Sequence, residues 1–71
     1  MKGKISDYNK LIVIAETYYY LKGDFTSHQL YNFIIANGIK FHSQWSAKQI
    51  SLNLRRSSKF RVNEKKFEVI T

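Results

Sequence analysis

Apolar and polar positions along this chain change their period near its C-terminal end. Before the change they predict three helices, and after it a pair of strands. Leu11, Ile14, Ala15, Tyr18 and Leu21 recur at three- and four-residue spacing, which predicts a first helix with those side chains inward. Ser6 or Asp7 can cap its start, and it runs to about Lys22. Ile12, Val13, Tyr19 and Tyr20 fall on its other sides. A helix this apolar nearly all round is either central to the domain or keeps a second face for a partner, and the partner is favoured because three helices cannot cover every side of one of them. Ile12, Val13, Glu16, Tyr19 and Tyr20 are therefore the expected interface with a second copy of the chain. Residues 1–5 read as a loose basic tail.

Gly23-Asp24 ends the first helix, with Gly23 suited to a left-handed position. Phe25 is expected as a short extended residue dipping into the core. Thr26 then caps a second helix, and Gln29 three residues on completes a capping box. Leu30, Phe33 and Ile34 point inward, His28 lies in the exposed first turn, and Gly38 after Asn37 closes the helix. Ile39 and Phe41 alternate with Lys40 and His42, so the connection from Ile39 to Trp45 admits a short strand. Trp45 stands where a hydrophobic staple packs onto the helix that follows.

Ser46 to Phe60 predicts that third helix, of about three to four turns. Ser46 and Gln49 repeat the capping-box form of Thr26 and Gln29. Ala47, Ile50 and Leu54 share the inward face. Lys48, Gln49, Leu52, Asn53, Arg55 and Arg56 take the others, a basic and amide-rich surface with no acid on it. After Ser57-Ser58, Phe60 and Val62 alternate with Lys59 and Arg61. Asn63, Glu64, Lys65 and Lys66 make a polar turn, and Phe67 and Val69 alternate with Lys66 and Glu68. This predicts a β-hairpin with one apolar face and a basic tip.

The order of elements resembles a winged helix-turn-helix domain over residues 6 to 71. The resemblance rests on Thr26-x-x-Gln29 with Leu30, on Ile50-x-x-x-Leu54, and on Lys59-Phe60-Arg61-Val62 turning into Phe67-Glu68-Val69-Ile70. It implies a mainly α fold of three helices with a C-terminal hairpin. In that family the third helix usually enters the major groove of DNA, and the hairpin, or wing, meets the flanking backbone or the minor groove. One departure is the link from Gly38 to Trp45, longer than the three- or four-residue turn of a strict helix-turn-helix. The family also includes members that bind RNA or only protein, so the fold alone does not fix the function.

Charge narrows the field. The net charge is +7, from twelve Lys and Arg against five Asp and Glu, and between Asp24 and Glu64 there is no acidic residue. Such a balance favours a polyanion as partner. No apolar run approaches the roughly 20 residues that span a bilayer, and the first ten residues lack the apolar core of a secretory signal. The expectation is one intracellular domain, cytoplasmic or associated with the nucleoid, without membrane. No cysteine is present, so packing or dimerisation must stabilise a chain that buries only about 60% of its unfolded surface.

Catalytic parts are scarce. His28 and His42 are the only histidines, no cysteine accompanies them, and the three glycines stand apart. Neither a zinc motif nor a phosphate-cradling loop is formed. No enzyme activity, metal, cofactor or small-molecule substrate is expected. Ser57 and Ser58 are read as ending the third helix and approaching a phosphate.

The expected function is a small sequence-specific double-stranded DNA-binding protein, a transcriptional regulator acting as a homodimer. Lys48, Gln49, Leu52, Asn53 and Arg56 would face base edges, since Arg and Lys suit guanine, Asn and Gln suit adenine, and an apolar side chain suits the thymine methyl. Arg55, Lys59, Arg61, Lys65 and Lys66 would hold phosphates. Two rivals stand beside it. One is an architectural or single-strand binder that uses charge and aromatics without reading sequence. The other is a protein-interaction module working through the apolar first helix.

Overall fold

The computed structural model describes residues 6–70; the expected N-terminal tail, residues 1–5, lies outside them. Three helices, α1 (Asp7–Lys22), α2 (Ser27–Ala36) and α3 (Ala47–Arg56), precede an antiparallel hairpin of β1 (Phe60–Asn63) and β2 (Lys66–Val69). The order and pairing are those of a winged helix-turn-helix. Local chemistry sets the helix starts. The Ser6 hydroxyl accepts the Asn9 N–H at 3.2 Å and caps α1. Thr26 and Gln29 close a capping box at the head of α2, and Ser46 and Gln49 close another at the head of α3. Gly23, at φ +91°, ends α1 and donates its N–H to the Tyr19 carbonyl at 2.7 Å.

In the hairpin, Phe60 faces Val69 and Val62 faces Phe67, which puts all four on one side of the ribbon. Glu64 and Lys65 form its tight two-residue connection with φ of 52° and 70°, the signs that match the right-handed twist of the strands. Phe25 adds a further rung. Its N–H donates to the Phe67 carbonyl at 3.2 Å, and its own carbonyl accepts the Phe67 N–H at 2.6 Å. The segment ahead of α2 is thereby fastened to the edge of the wing. The Phe25 ring stacks on Phe67 at 5.9 Å and meets Tyr18 and Phe60 edge-on. Leu11 and Ala15 of α1, Leu30 of α2, and Ile50 and Leu54 of α3 close the core around it.

Several expectations change here. Leu21, read as inward, is 69% exposed, and Ile12, read as a dimer residue, is buried at 6%. Both follow from one rotation. The buried side of α1 is centred on Leu11 and Ala15 and reaches to Ile12 and Tyr19, roughly 60° from the expected centre at about 100° per residue. α3 and β2 both pack on α1, and a helix covered by two elements buries a broader face than one covered along a single stripe. α3 ends at Arg56, short of Phe60, because Ser57 is extended and the chain turns into β1. The connection from Ile39 to Trp45 forms no strand. It folds instead so that the Phe41 and Trp45 rings lie 5.6 Å apart. No helix among the described residues is long and apolar enough to cross a membrane.

Candidate nucleic-acid interface

α3 owes its orientation to what it buries. Ile50 and Leu54 are fully buried and Ala47 is half-buried. The helix packs against α2, α1 and β1. The opposite side then faces water. Lys48, Gln49, Arg55 and Arg56 are exposed, Asn53 is half-exposed, and Leu52 is 52% exposed at the centre of the set. Leu52 is therefore an apolar side chain on a polar surface, as its spacing from Ile50 and Leu54 predicts.

The long link ahead of α3 is held from a distance. The Asp7 carboxylate accepts the backbone N–H groups of His42 at 2.9 Å and Ser43 at 3.0 Å. Lys10 Nζ donates to the Lys40 carbonyl and lies 5.3 Å from the centre of the Phe41 ring. The first two turns of α1 thus clamp the connection that sets the start of α3. The His42 N–H holds the Asp7 carboxyl below its ordinary value. Partial desolvation opposes this, and Ser43, the Trp45 side chain and the charge of His42 add to the lowering. Sequence reasoning missed the clamp. Asp7 read only as a helix cap, and nothing in the local pattern ties it to residues 35 positions away. Between α2, the link and the head of α3 lies an open hollow of about 560 Å³, with Trp45, Phe41, Tyr31, Gln49 and Ile50 among its walls.

Two basic residues of the second half are ion-paired. Lys59 is bridged to Glu16 of α1 at 3.6 Å, and Arg61 is paired with Glu68 across the hairpin. These are the ion pairs among the described residues, and neither touches α3. The cations Lys48, Arg55 and Arg56 on α3 have no acid in ion-pair reach within that set, and neither have Lys65 and Lys66 at the wing tip. Arg56 stands apart from the other base-reading candidates. It lines a second hollow, of about 440 Å³, with Tyr8, Glu16, Ser58 and Lys59, between α1 and the turn into β1. Ser57 is only 8% exposed, and its hydroxyl accepts the Lys59 N–H at 3.2 Å. It shapes the turn rather than meeting a phosphate, while Ser58 stays exposed.

No protein-family model matches the chain, and no curated protein or solved structure matches it significantly.

Of the five residues expected at a dimer contact, Val13 and Tyr20 are exposed at 60% and 67%. Tyr19 is half-buried against the core, Glu16 is occupied by Lys59, and Ile12 is inside the protomer. The apolar surface that α1 does show is a different stripe. Val13, Thr17, Tyr20 and Leu21 are all exposed and share one side of the helix at positions i, i+4, i+7 and i+8.

Proposed function

We propose that this protein binds double-stranded DNA in a sequence-dependent way and regulates transcription. In this reading α3 lies in the major groove and the wing lies along the flanking backbone. One observation supports it above the rest. The outward side of α3 combines unpaired cations, two amides and an exposed Leu, while the paired cations lie elsewhere. A side chain set of that kind matches the donor, acceptor and methyl pattern of the major groove. Lys48, Gln49, Leu52 and Asn53 face the bases. Arg55, Arg56, Lys65 and Lys66 hold phosphates, with Lys59 and Arg61 contributing less because each already has a carboxylate partner. The Val13–Leu21 stripe joins two copies, so that two α3 helices address two half-sites about one DNA turn apart.

Binding to a labelled duplex across a range of salt concentrations tests this reading. About five neutralised phosphates give a slope of log affinity against log salt of roughly −4 to −5. Replacing Lys65 and Lys66 by Ala flattens the slope and weakens binding to all sequences alike. An affinity independent of salt contradicts the proposal.

A further inference from the structure

α3 carries two amide side chains, Gln49 and Asn53. As residue types they are interchangeable readers of adenine. Their hydrogen bonds make them different. Gln49 Oε1 accepts the Ser46 backbone N–H at 3.2 Å, and the Ser46 hydroxyl accepts the Gln49 backbone N–H at 3.2 Å. A backbone N–H only donates, so this contact fixes which end of the Gln49 amide is oxygen. The two amide N–H groups of Gln49 are left without a protein partner among the described residues. Asn53 is fixed the opposite way. Its Nδ2 donates to the Gln49 carbonyl at 2.8 Å, and a carbonyl only accepts. That leaves Asn53 with one N–H and its Oδ1 free.

Adenine offers one donor and one acceptor to the major groove, whereas guanine offers two acceptors. A side chain that pairs with adenine must therefore both accept and donate. Gln49 Oε1 keeps a second lone pair, but its bond to the Ser46 N–H draws that oxygen back toward the helix head, so offering oxygen and N–H side by side to adenine competes with the capping box. Asn53 meets no such competition. Resting on the DNA-binding reading above, we infer that Gln49, held by its oxygen, reads through its N–H groups and selects guanine, and that Asn53 alone of the two reads adenine. The capping box thus acts as a specificity device, because it holds the Gln49 oxygen back on the helix head and leaves the two N–H groups as the freer end of the amide. Four residues separate the two along α3, about 6 Å of helix rise, so the contacted guanine and adenine lie roughly two base-pair steps of about 3.4 Å apart.

The test compares sequences selected from a random duplex pool by the wild type, Gln49→Glu, Gln49→Lys and Asn53→Ala, with melting temperatures measured alongside. Gln49→Glu keeps an oxygen for the Ser46 N–H, so it melts like the wild type, but it has no donor. It should lose about tenfold at one guanine position and turn there toward cytosine, whose amine donates. Gln49→Lys keeps donors and loses the acceptor, so it should melt lower yet still prefer guanine. Asn53→Ala should lose an adenine preference about two steps away. A wild type with a clear preferred sequence that Gln49→Glu leaves unchanged overturns this assignment alone. So does a selected adenine at the position that Gln49→Glu alters. A wild type with no preferred sequence overturns the DNA-reading premise itself.

Discussion

Leu52 gives the sharpest residue-scale consequence. It is 52% exposed while Ile50 and Leu54 beside it are fully buried. An exposed Leu alone is unremarkable in a small protein, but this one shares its side of α3 with Lys48 and Gln49. In the proposed pose it packs on the C5-methyl of a thymine, which only the major groove displays. Leu52→Ala should leave stability within about 0.5 kcal/mol of the wild type. It should lose about 1 kcal/mol of binding at one thymine position, roughly a methyl-sized contact. Replacing that thymine with uracil should remove most of the difference; a variant that unfolds would place Leu52 in the core. The inward and outward positions of α3 were legible because every apolar residue but Leu52 falls on one side. On α1 the same reasoning misplaced Ile12 and Leu21. With apolar residues on every side, its rotation is chosen by α3 and β2, which the local pattern does not contain.

At the scale of elements, the capping boxes of α2 and α3 were readable because each joins residues three apart. The link between those helices was not, because Asp7 and Lys10 hold it across 30 to 36 positions. Alternation at Ile39–His42 admitted a strand, yet the clamp on the His42 and Ser43 N–H groups uses donors that a strand would need. A pH dependence follows. The folded carboxyl of Asp7 sits below its ordinary value of 3.8, so its contribution is fully present above that value. It is lost as the pH falls through the lower folded one. Asp7→Asn should melt lower than the wild type at neutral pH, and the gap between the two should close as the pH drops below about 4. Thermal melts followed by circular dichroism across that range check it. A gap constant with pH would mean that Asp7 does not act through its charge. The same substitution should weaken DNA binding, since the clamp sets where α3 begins.

At the scale of the molecule, the acid-free stretch from Phe25 to Asn63 is not acid-free in space, because the fold brings Asp7 to the link and Glu16 to Lys59. Among the described residues the cations outside the two ion pairs include all three on α3 and both at the wing tip, together with Lys10, Lys22 and Lys40. α1 leaves the Val13, Thr17, Tyr20 and Leu21 stripe uncovered, and the proposed dimer places two copies of it together. Val13→Glu with Tyr20→Glu should give a folded monomer that binds DNA weakly, whereas Ile12→Glu should unfold the chain by placing a charge in the core. Sedimentation of the wild type at high micromolar concentration checks the dimer, and a single monomeric species there would contradict it.

The most direct measurement is selection of bound molecules from a random duplex library, followed by sequencing of the enriched pool. One shared motif is expected, with two half-sites about one DNA turn apart, that is lost when Lys48, Gln49, Leu52 and Asn53 are replaced together by Ala in a protein that still folds. An enriched pool with no common motif would contradict the claim that α3 reads DNA. So would a motif unchanged by that fourfold replacement.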